Sequence, residues 1–428
     1  MSLIDGLFSD DPSRQLESAT NINMILSMSP SGNRTLGTEY LIRSSIVARL
    51  VHFLGNEDFP KLQYEAACAL KNIAAIHPDL VVIYNAVPIL VKLIASSRYY
   101  VREAAIGALS NVASHSVHRD YVLQCGALMP VLSQLHKDTN LSMLRSATRT
   151  LSNLCCGMPP PTFDEVKYAL EPHLYSNDEE VLRYVCVAIQ YLCNGSEDAI
   201  QSVIEFGLVP KLVKVLRHPS PSVLAPVLDT IKTIISTYNH QTQCVINCGA
   251  LPILANLFSR DYEKRIKVNT FTTISSITAG FREHIQSVMD ANLIPRFVNL
   301  AQNTELDMKK LAVWAISNVT SRGSHDQIKY LVEQGCIKPL CDRLVTCPYL
   351  EIISLCLDGL ENILKVGEAE KNIGDLNYYS QLIEDAEGLE KIENLQHHES
   401  NEIYKKALKI LETYWVEEDD EQTQQPSS

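Results

Sequence analysis

Eight positions recur at near-constant spacing along this chain of 428 residues: Asn72, Asn111, Asn153, Tyr191, Thr233, Ser276, Asn318 and Asn362. They stand 39, 42, 38, 42, 43, 42 and 44 residues apart. An Asn amide carries one acceptor and two donors, so a row of them can hold the N–H and C=O groups of an extended peptide without reading its sequence. A mid-helix Asn has poor helix propensity, and it is costly when buried without partners. A row of them at one phase therefore needs a common reason. In "LAVWAISNVTS" (311–321), Trp314 precedes Asn318 by four residues, which puts both side chains on one helix face, a turn apart. The ring face attracts a Lys or Arg cation, and its edges cover the aliphatic stem. The chemistry implied is non-covalent capture of an extended chain, with cation selection at Trp314. The alternative is that Trp314 and Asn318 only bridge adjacent repeats.

The elements that must position these residues are legible in a second series. Pro88, Pro130, Pro172, Pro210, Pro252, Pro295 and Pro339 follow one another at steps of 42, 42, 38, 42, 43 and 44. Most follow a Gly or Asn turn and open an apolar run, as in "CGALPILANLF". Pro is tolerated in a first helical turn, where its missing N–H lacks an intrahelical partner anyway. Each unit reads as a short helix, a turn, a second helix opened by Pro, and a long third helix carrying the Asn. A period of about 40–47 residues with two or three helices is that of HEAT and armadillo repeats. Such units cannot bury their apolar faces alone, and they stack. The expected fold is all-α: an armadillo-repeat, right-handed superhelical solenoid of about ten repeats over 11–415. A short N-terminal segment (1–10) precedes it and an acidic, disordered tail (416–428) follows. If the third helices line the concave face, packed roughly 8–10 Å apart, successive clamps meet every second or third residue of a bound chain that advances about 3.3 Å per residue.

Composition narrows the function classes. Net charge is −13, and "EEDDE" (417–421) supplies only part of it, so the surface disfavours nucleic-acid phosphate and suits basic partners. No stretch is apolar and long enough for a membrane span, and the acidic start "MSLIDGLFSDD" is not a signal peptide. The twelve cysteines form no paired metal-ligand set, and even Cys244 and Cys248 lack a completing His or Cys pair. They read as small core residues, with no metal and no cofactor. No Walker loop, HExxH, GxSxG or strand-borne GxGxxG is present, so the chain reads as a binding protein of the cytoplasm and nucleus, not an enzyme.

From "LFSDD" through "DMKKLAVWAISNVTSRGS" and "CLDGLENILKVGEAEK" to "EGLEKIENLQHHESNEIYKKALKILETYW", the chain resembles the importin-α family, the armadillo adaptors for nuclear import. The resemblance implies a groove of Trp–Asn pairs that grips the Lys-rich nuclear localisation signals of cargo proteins at a major and a minor site. Carried over by residue, the major-site asparagines are Asn72, Asn111 and Asn153. Their partner tryptophans fall at Cys68, Gly107 and Arg149, and an acidic residue for a key lysine falls at His115. In the minor site the first pair has become Thr272 and Ser276, while Trp314, Asn318 and Asn362 remain. The family's Glu before that Trp is Leu311 here. Tyr191 matches a Tyr linking the two sites, and the next repeat's Arg is Asp229.

The family's basic N-terminal segment, which binds importin-β, has no counterpart before Asp10. Either the sequence lacks an upstream piece, or the protein does not use importin-β in the usual way. The acidic C-terminal region resembles the part of the family that engages its export receptor. A Trp–cation contact contributes about 0.5–1 kcal/mol exposed and about 2 desolvated. The loss of three costs roughly 1.5–6 kcal/mol, or about one to four decades of affinity. The expectation is an import adaptor whose backbone clamps survive while its lysine selectors are depleted. The alternative is an armadillo scaffold outside transport that binds other extended peptides.

Overall fold

The computed structural model describes residues 3–28, 44–136, 138–303, 306–372 and 376–415, and every regular element among them is helical. Ten of the described helices run for 14 to 21 residues. They are α1 (Pro12–Met28), α2 (Pro60–Ala74), α3 (Tyr99–Ala113), α4 (Leu141–Cys155), α5 (Glu179–Gly195), α6 (Pro221–Ile235), α7 (Lys264–Thr278), α8 (Leu306–Arg322), α9 (Leu350–Glu370) and α10 (Asn401–Tyr414). Each of the eight positions of the series lies on one of these long helices, from Asn72 on α2 to Asn362 on α9; all but Asn362, which stands in mid-helix, are in the last turns. The expected tail at 416–428 lies outside the described residues. Within 1–10, Leu3–Leu7 forms a short helix whose Leu7 is buried.

Alanines let the long helices approach. Ala66, Ala67 and Ala69 of α2 and Ala104, Ala105 and Ala108 of α3 are all buried, interleaved with Leu70, Ile73, Ile106 and Leu109. The connection ahead of most second helices is a left-handed residue: Asn85, Gly126, Gly207, Gly249, Asn292 and Gly335 all have φ between 53° and 85°, whereas ahead of Pro172 the helix Phe163–Leu170 runs directly into the 3-10 turn Glu171–Tyr175. At Gly126 and Gly207 the chain closes as a Schellman turn: Gly126 N–H donates to Leu123 O at 2.8 Å, and Ala127 N–H reaches back to Val122 O. The last such turn departs from the pattern, since Glu387 (φ 58°) takes the left-handed conformation although Gly388 is its neighbour. A Cβ at residue 388 would stand 2.6 Å from Cys341 Sγ. The glycine is thus consumed by close packing and not by the turn.

The chain divides into two compact units, Met1–Thr230 and Ile231–Ser428, with the boundary inside α6. Within the first unit α1 to α5 pack in succession, and within the second α7 to α10 do the same. Eight of the twelve cysteines are buried. Burial pushes the thiols of Cys155, Cys186 and Cys193 up to about 12, which fits small core side chains. No single described helix is long and apolar enough to cross a membrane.

Candidate peptide-binding faces

In the first unit the Asn amides share one geometry. Asn111 of α3 donates its Nδ2 to the backbone oxygen of Lys71 on α2 at 2.9 Å. Asn153 of α4 donates in the same way to Ser110 O on α3 at 2.9 Å, with Ser110 Oγ at 3.2 Å. In both cases the acceptor is the residue just before the Asn position of the preceding long helix. Asn72 of α2 reaches α1, where it meets Asn23 Oδ1 at 3.0 Å, and Asn23 in turn donates to Glu65 at 2.8 Å. Each amide is half-buried and fixed by a bond worth about 0.5–1.5 kcal/mol net. The bridging role and the clamping role are therefore not exclusive. One amide proton ties adjacent repeats, and the rest of the group is held in a set orientation. Among the described residues no donor meets Oδ1 of Asn72 or Asn153.

The positions one turn earlier on these helices are occupied very differently. Cys68 is buried, with 6% of its surface exposed, and hydrogen-bonded to Tyr64. The nearby thiol and burial push the Tyr64 phenol up to about 12, and its ring stands edge-on to Tyr100 at 5.4 Å. Gly107 is overlain by the Lys71 stem, whose Cδ would lie 2.9 Å from an added Cβ. Arg149 is exposed and donates its Nη2 to Asn111 Oδ1 at 3.3 Å. His115 is exposed at the start of the helix Ser116–Gln124, its Nδ1 3.3 Å from Asn111 O. Tyr191 of α5 is half-buried, and a hydrogen bond with the Cys156 thiol, aided by burial, pushes its phenol up to about 12. Asp229 accepts from Gln190 at 3.2 Å.

In the second unit Asn318 of α8 repeats the geometry of Asn153. Its Nδ2 donates to Ser275 O and Thr278 Oγ1 on α7, both at 3.3 Å. Thr272 and Ser276 turn their hydroxyls back onto their own helix, donating to Asn269 O at 3.0 Å and Thr272 O at 2.9 Å. Neither offers a ring or an amide. Asn362 of α9 departs from the row: it meets the Ser321 hydroxyl at 3.4 Å instead of a backbone oxygen, and Lys365 approaches its Oδ1 at 3.5 Å.

Trp314 keeps 42% of its surface exposed. It walls a cleft of about 370 Å³ with Val268, Leu311 and Ile352 on the apolar side and Asp307, Glu351 and Tyr349 on the other. Lys310 already sits over the Tyr349 ring, 3.1 Å from its centroid, the kind of contact a bound basic side chain would make on Trp314. A hydrogen bond from Lys264 lowers the Asp307 carboxyl below its ordinary value.

Comparison with known proteins places this arrangement. The family model of the Armadillo/beta-catenin-like repeat matches residues 35–75, 77–114, 115–156, 196–236, 239–279 and 281–321, and that of the atypical Arm repeat matches 377–427. Importin subunit alpha-8 of Arabidopsis thaliana is 58% identical over 420 residues, spanning 97% of this chain and 93% of the relative. The chain belongs to the importin-α family. Importin subunit alpha-1b of Oryza sativa subsp. japonica is 53% identical over 429 residues, 98% of this chain and 79% of that protein. Among solved structures, a designed armadillo repeat protein in complex with the peptide (KR)4 is 31% identical with a TM-score of 0.51, covering 57% of this chain and 98% of its own. An engineered protein at 24% identity and TM-score 0.81 shares the fold over 96% of this chain.

The fold is thus the all-α armadillo solenoid expected from the period. The function is that of importin-α, a nuclear import adaptor for cargo carrying localisation signals, and the reading as a scaffold outside transport is not favoured. Importin-α proteins are adaptors that shuttle between cytoplasm and nucleus. Sequence spacing located the Asn rows but missed what surrounds them. Asn23 on α1, Lys71 over Gly107, and the Lys310–Tyr349 contact all went unread. The residue before the series position is Ser110, Ser152, Ser275 and Ser317 in four repeats and Lys71, Gln190, Lys232 and Glu361 in the other four, so the row itself did not single out that lysine.

Proposed function

We propose that this importin-α protein holds extended cargo segments on two faces. One is built on Asn72, Asn111 and Asn153, the other on Trp314, Asn318 and Asn362, with Tyr191 flanking the first. The observation that carries this reading is the shared tether of Asn111, Asn153 and Asn318: each amide is oriented by a bond to the backbone of the preceding long helix. An oriented amide loses little freedom on binding, so whatever donor or acceptor its tether leaves over serves a peptide backbone at low entropic cost. The solenoid helices supply stability while the amide ends supply recognition.

Selectivity for lysine is weakened on the first face, where Cys68, Gly107 and Arg149 supply no ring, and retained at Trp314 on the second. Importin-β and an export receptor are the protein partners that the family brings into the proposal, and residence in both cytoplasm and nucleus follows from that traffic. Titration calorimetry with one Lys-rich signal peptide tests the reading. Binding that is weakened at least about threefold by Asn318→Ala, with the helical spectrum intact, is the expected result. A Lys-rich peptide that binds wild type and Asn318→Ala equally would overturn the assignment of the second face.

A further inference from the structure

Around Asn111 the chain supplies its own cations. Lys71 of α2 lies across Gly107, and Arg149 of α4 donates to Asn111 Oδ1. Both ends of the Asn111 amide are therefore taken, Nδ2 by Lys71 O and Oδ1 by the Arg149 guanidinium. Neither Lys71 nor Arg149 enters an ion pair among the described residues. Arg145, one turn earlier on α4, is by contrast bound through Nε and Nη2 to Asp178. The carboxylates of α2 and α3 are bonded to other groups. Glu65 accepts from Asn23 and Glu103 accepts from the Ser142 hydroxyl, so neither is bonded to Lys71 or Arg149. Two positive charges, neither of them paired with a carboxylate among the described residues, thus converge on one rung, from the helix on either side of it.

We infer that the face formed by α2, α3 and α4 selects an extended peptide with a carboxylate side chain opposite Arg149, the reverse of a lysine-reading site. The inference rests on the reading of the Asn rows as peptide clamps. An exposed guanidinium holds a neutral amide oxygen by a single bond at 3.3 Å. A ligand carboxylate offers two parallel charge-assisted bonds, which match the guanidinium fork. Drawing Arg149 onto that carboxylate also uncovers Asn111 Oδ1 for a peptide N–H. A ligand lysine gains neither effect. It must break the Arg149–Asn111 bond unaided, and it then sits beside two like charges with no aromatic face to receive it. Arg149 is in this way both the plug of the middle clamp and its selector. Lys71 adds a second charge of the same sign over the glycine where the family has a ring.

The test uses the full chain and three synthetic peptides of identical length that differ only in carrying Glu, Ala or Lys at alternate positions. Fluorescence anisotropy is read at low and at physiological salt. The Glu peptide is expected to bind wild type about tenfold more tightly than the Ala peptide, an advantage that shrinks as salt rises. Arg149→Ala should abolish that advantage and tighten the Ala and Lys peptides, because the plug is gone. Arg149→Lys, which keeps the charge and loses the fork, should retain only part of it. A Glu peptide no tighter than the Ala peptide, or one indifferent to Arg149→Ala, overturns the inference. If the Lys peptide still binds in a Trp314-dependent way in that case, the failure belongs to this inference alone. Should none of the three peptides bind, the reading of the faces as peptide sites falls with it.

Discussion

Trp314→Ala is the perturbation that most directly separates a lysine-reading slot from a packing residue. The ring is 42% exposed, so a cation laid on it is neither fully solvated nor fully desolvated. Its contact then falls between the exposed value of about 0.5–1 kcal/mol and the desolvated value of about 2. A loss of about 1–2 kcal/mol corresponds to roughly five- to thirtyfold weaker binding of a Lys-rich peptide. Asn72→Ala should cost less, because the buried Cys68 stands where a ring would have to be and only one backbone contact is lost. Trp314→Phe should lie between, since the smaller ring keeps a weaker quadrupole at the same place. The chain has only two tryptophans, Trp314 and Trp415, and Trp415 donates its indole N–H to Glu384 at 2.6 Å. In a Trp415→Phe background the emission therefore reports Trp314 alone. Peptide titration should shift that emission with the same midpoint that calorimetry gives. If the emission stays still on saturation, and Trp314→Ala binds as wild type does while Asn72→Ala does not, the ring is a packing residue and the reasoning fails.

Restoring a ring on the first face should work at Gly107 and fail at Cys68. Gly107→Trp displaces only the flexible Lys71 stem and should tighten a Lys-rich peptide with little loss of stability, whereas Cys68→Trp overpacks a buried position and should lower urea stability by about 1–3 kcal/mol; equal stability of the two variants would contradict the packing described. Stability should also fall as pH drops below 6.5. Burial lowers the pKa of His173 and His284 below the ordinary 6.5, so the unfolded chain binds more protons there and their contribution, present above 6.5, is lost as pH falls through the folded values. His284 Nδ1 accepts from Phe281 N–H at 3.2 Å, so urea midpoints measured between about pH 7.5 and pH 5 should fall in wild type and fall less in His284→Gln, and identical slopes would show that His284 is not responsible.

Periodicity made the repeat architecture readable. An array places chemically equivalent residues at equal intervals, so the Asn and Pro series mark their helices wherever other residues vary. The left-handed turns were equally open to inspection at Asn85, Gly126, Gly207, Gly249, Asn292 and Gly335, because Gly and Asn tolerate positive φ, whereas Glu387 gave no such sign. The family was legible from runs of residues such as "DMKKLAVWAISNVTSRGS". Which positions lacked a ring could also be read directly, since a missing Trp at Cys68, Gly107 or Arg149 is visible without coordinates.

What fills the missing rings was decided only by the tertiary structure. Lys71 and Gly107 lie 36 residues apart, and Arg149 and Asn111 lie 38 apart; their contacts exist because successive long helices pack side by side. The same holds for the tether of each Asn to the backbone oxygen one repeat earlier, which no side-chain pattern announces because a carbonyl belongs to every residue. Burial of Cys68 against Tyr64, and the half-exposure of Trp314 over its cleft, depend on how neighbouring helices close around one side chain. A sequence fixes what a helix face presents, but the distance to the next face sets which groups are still unpartnered when a ligand arrives.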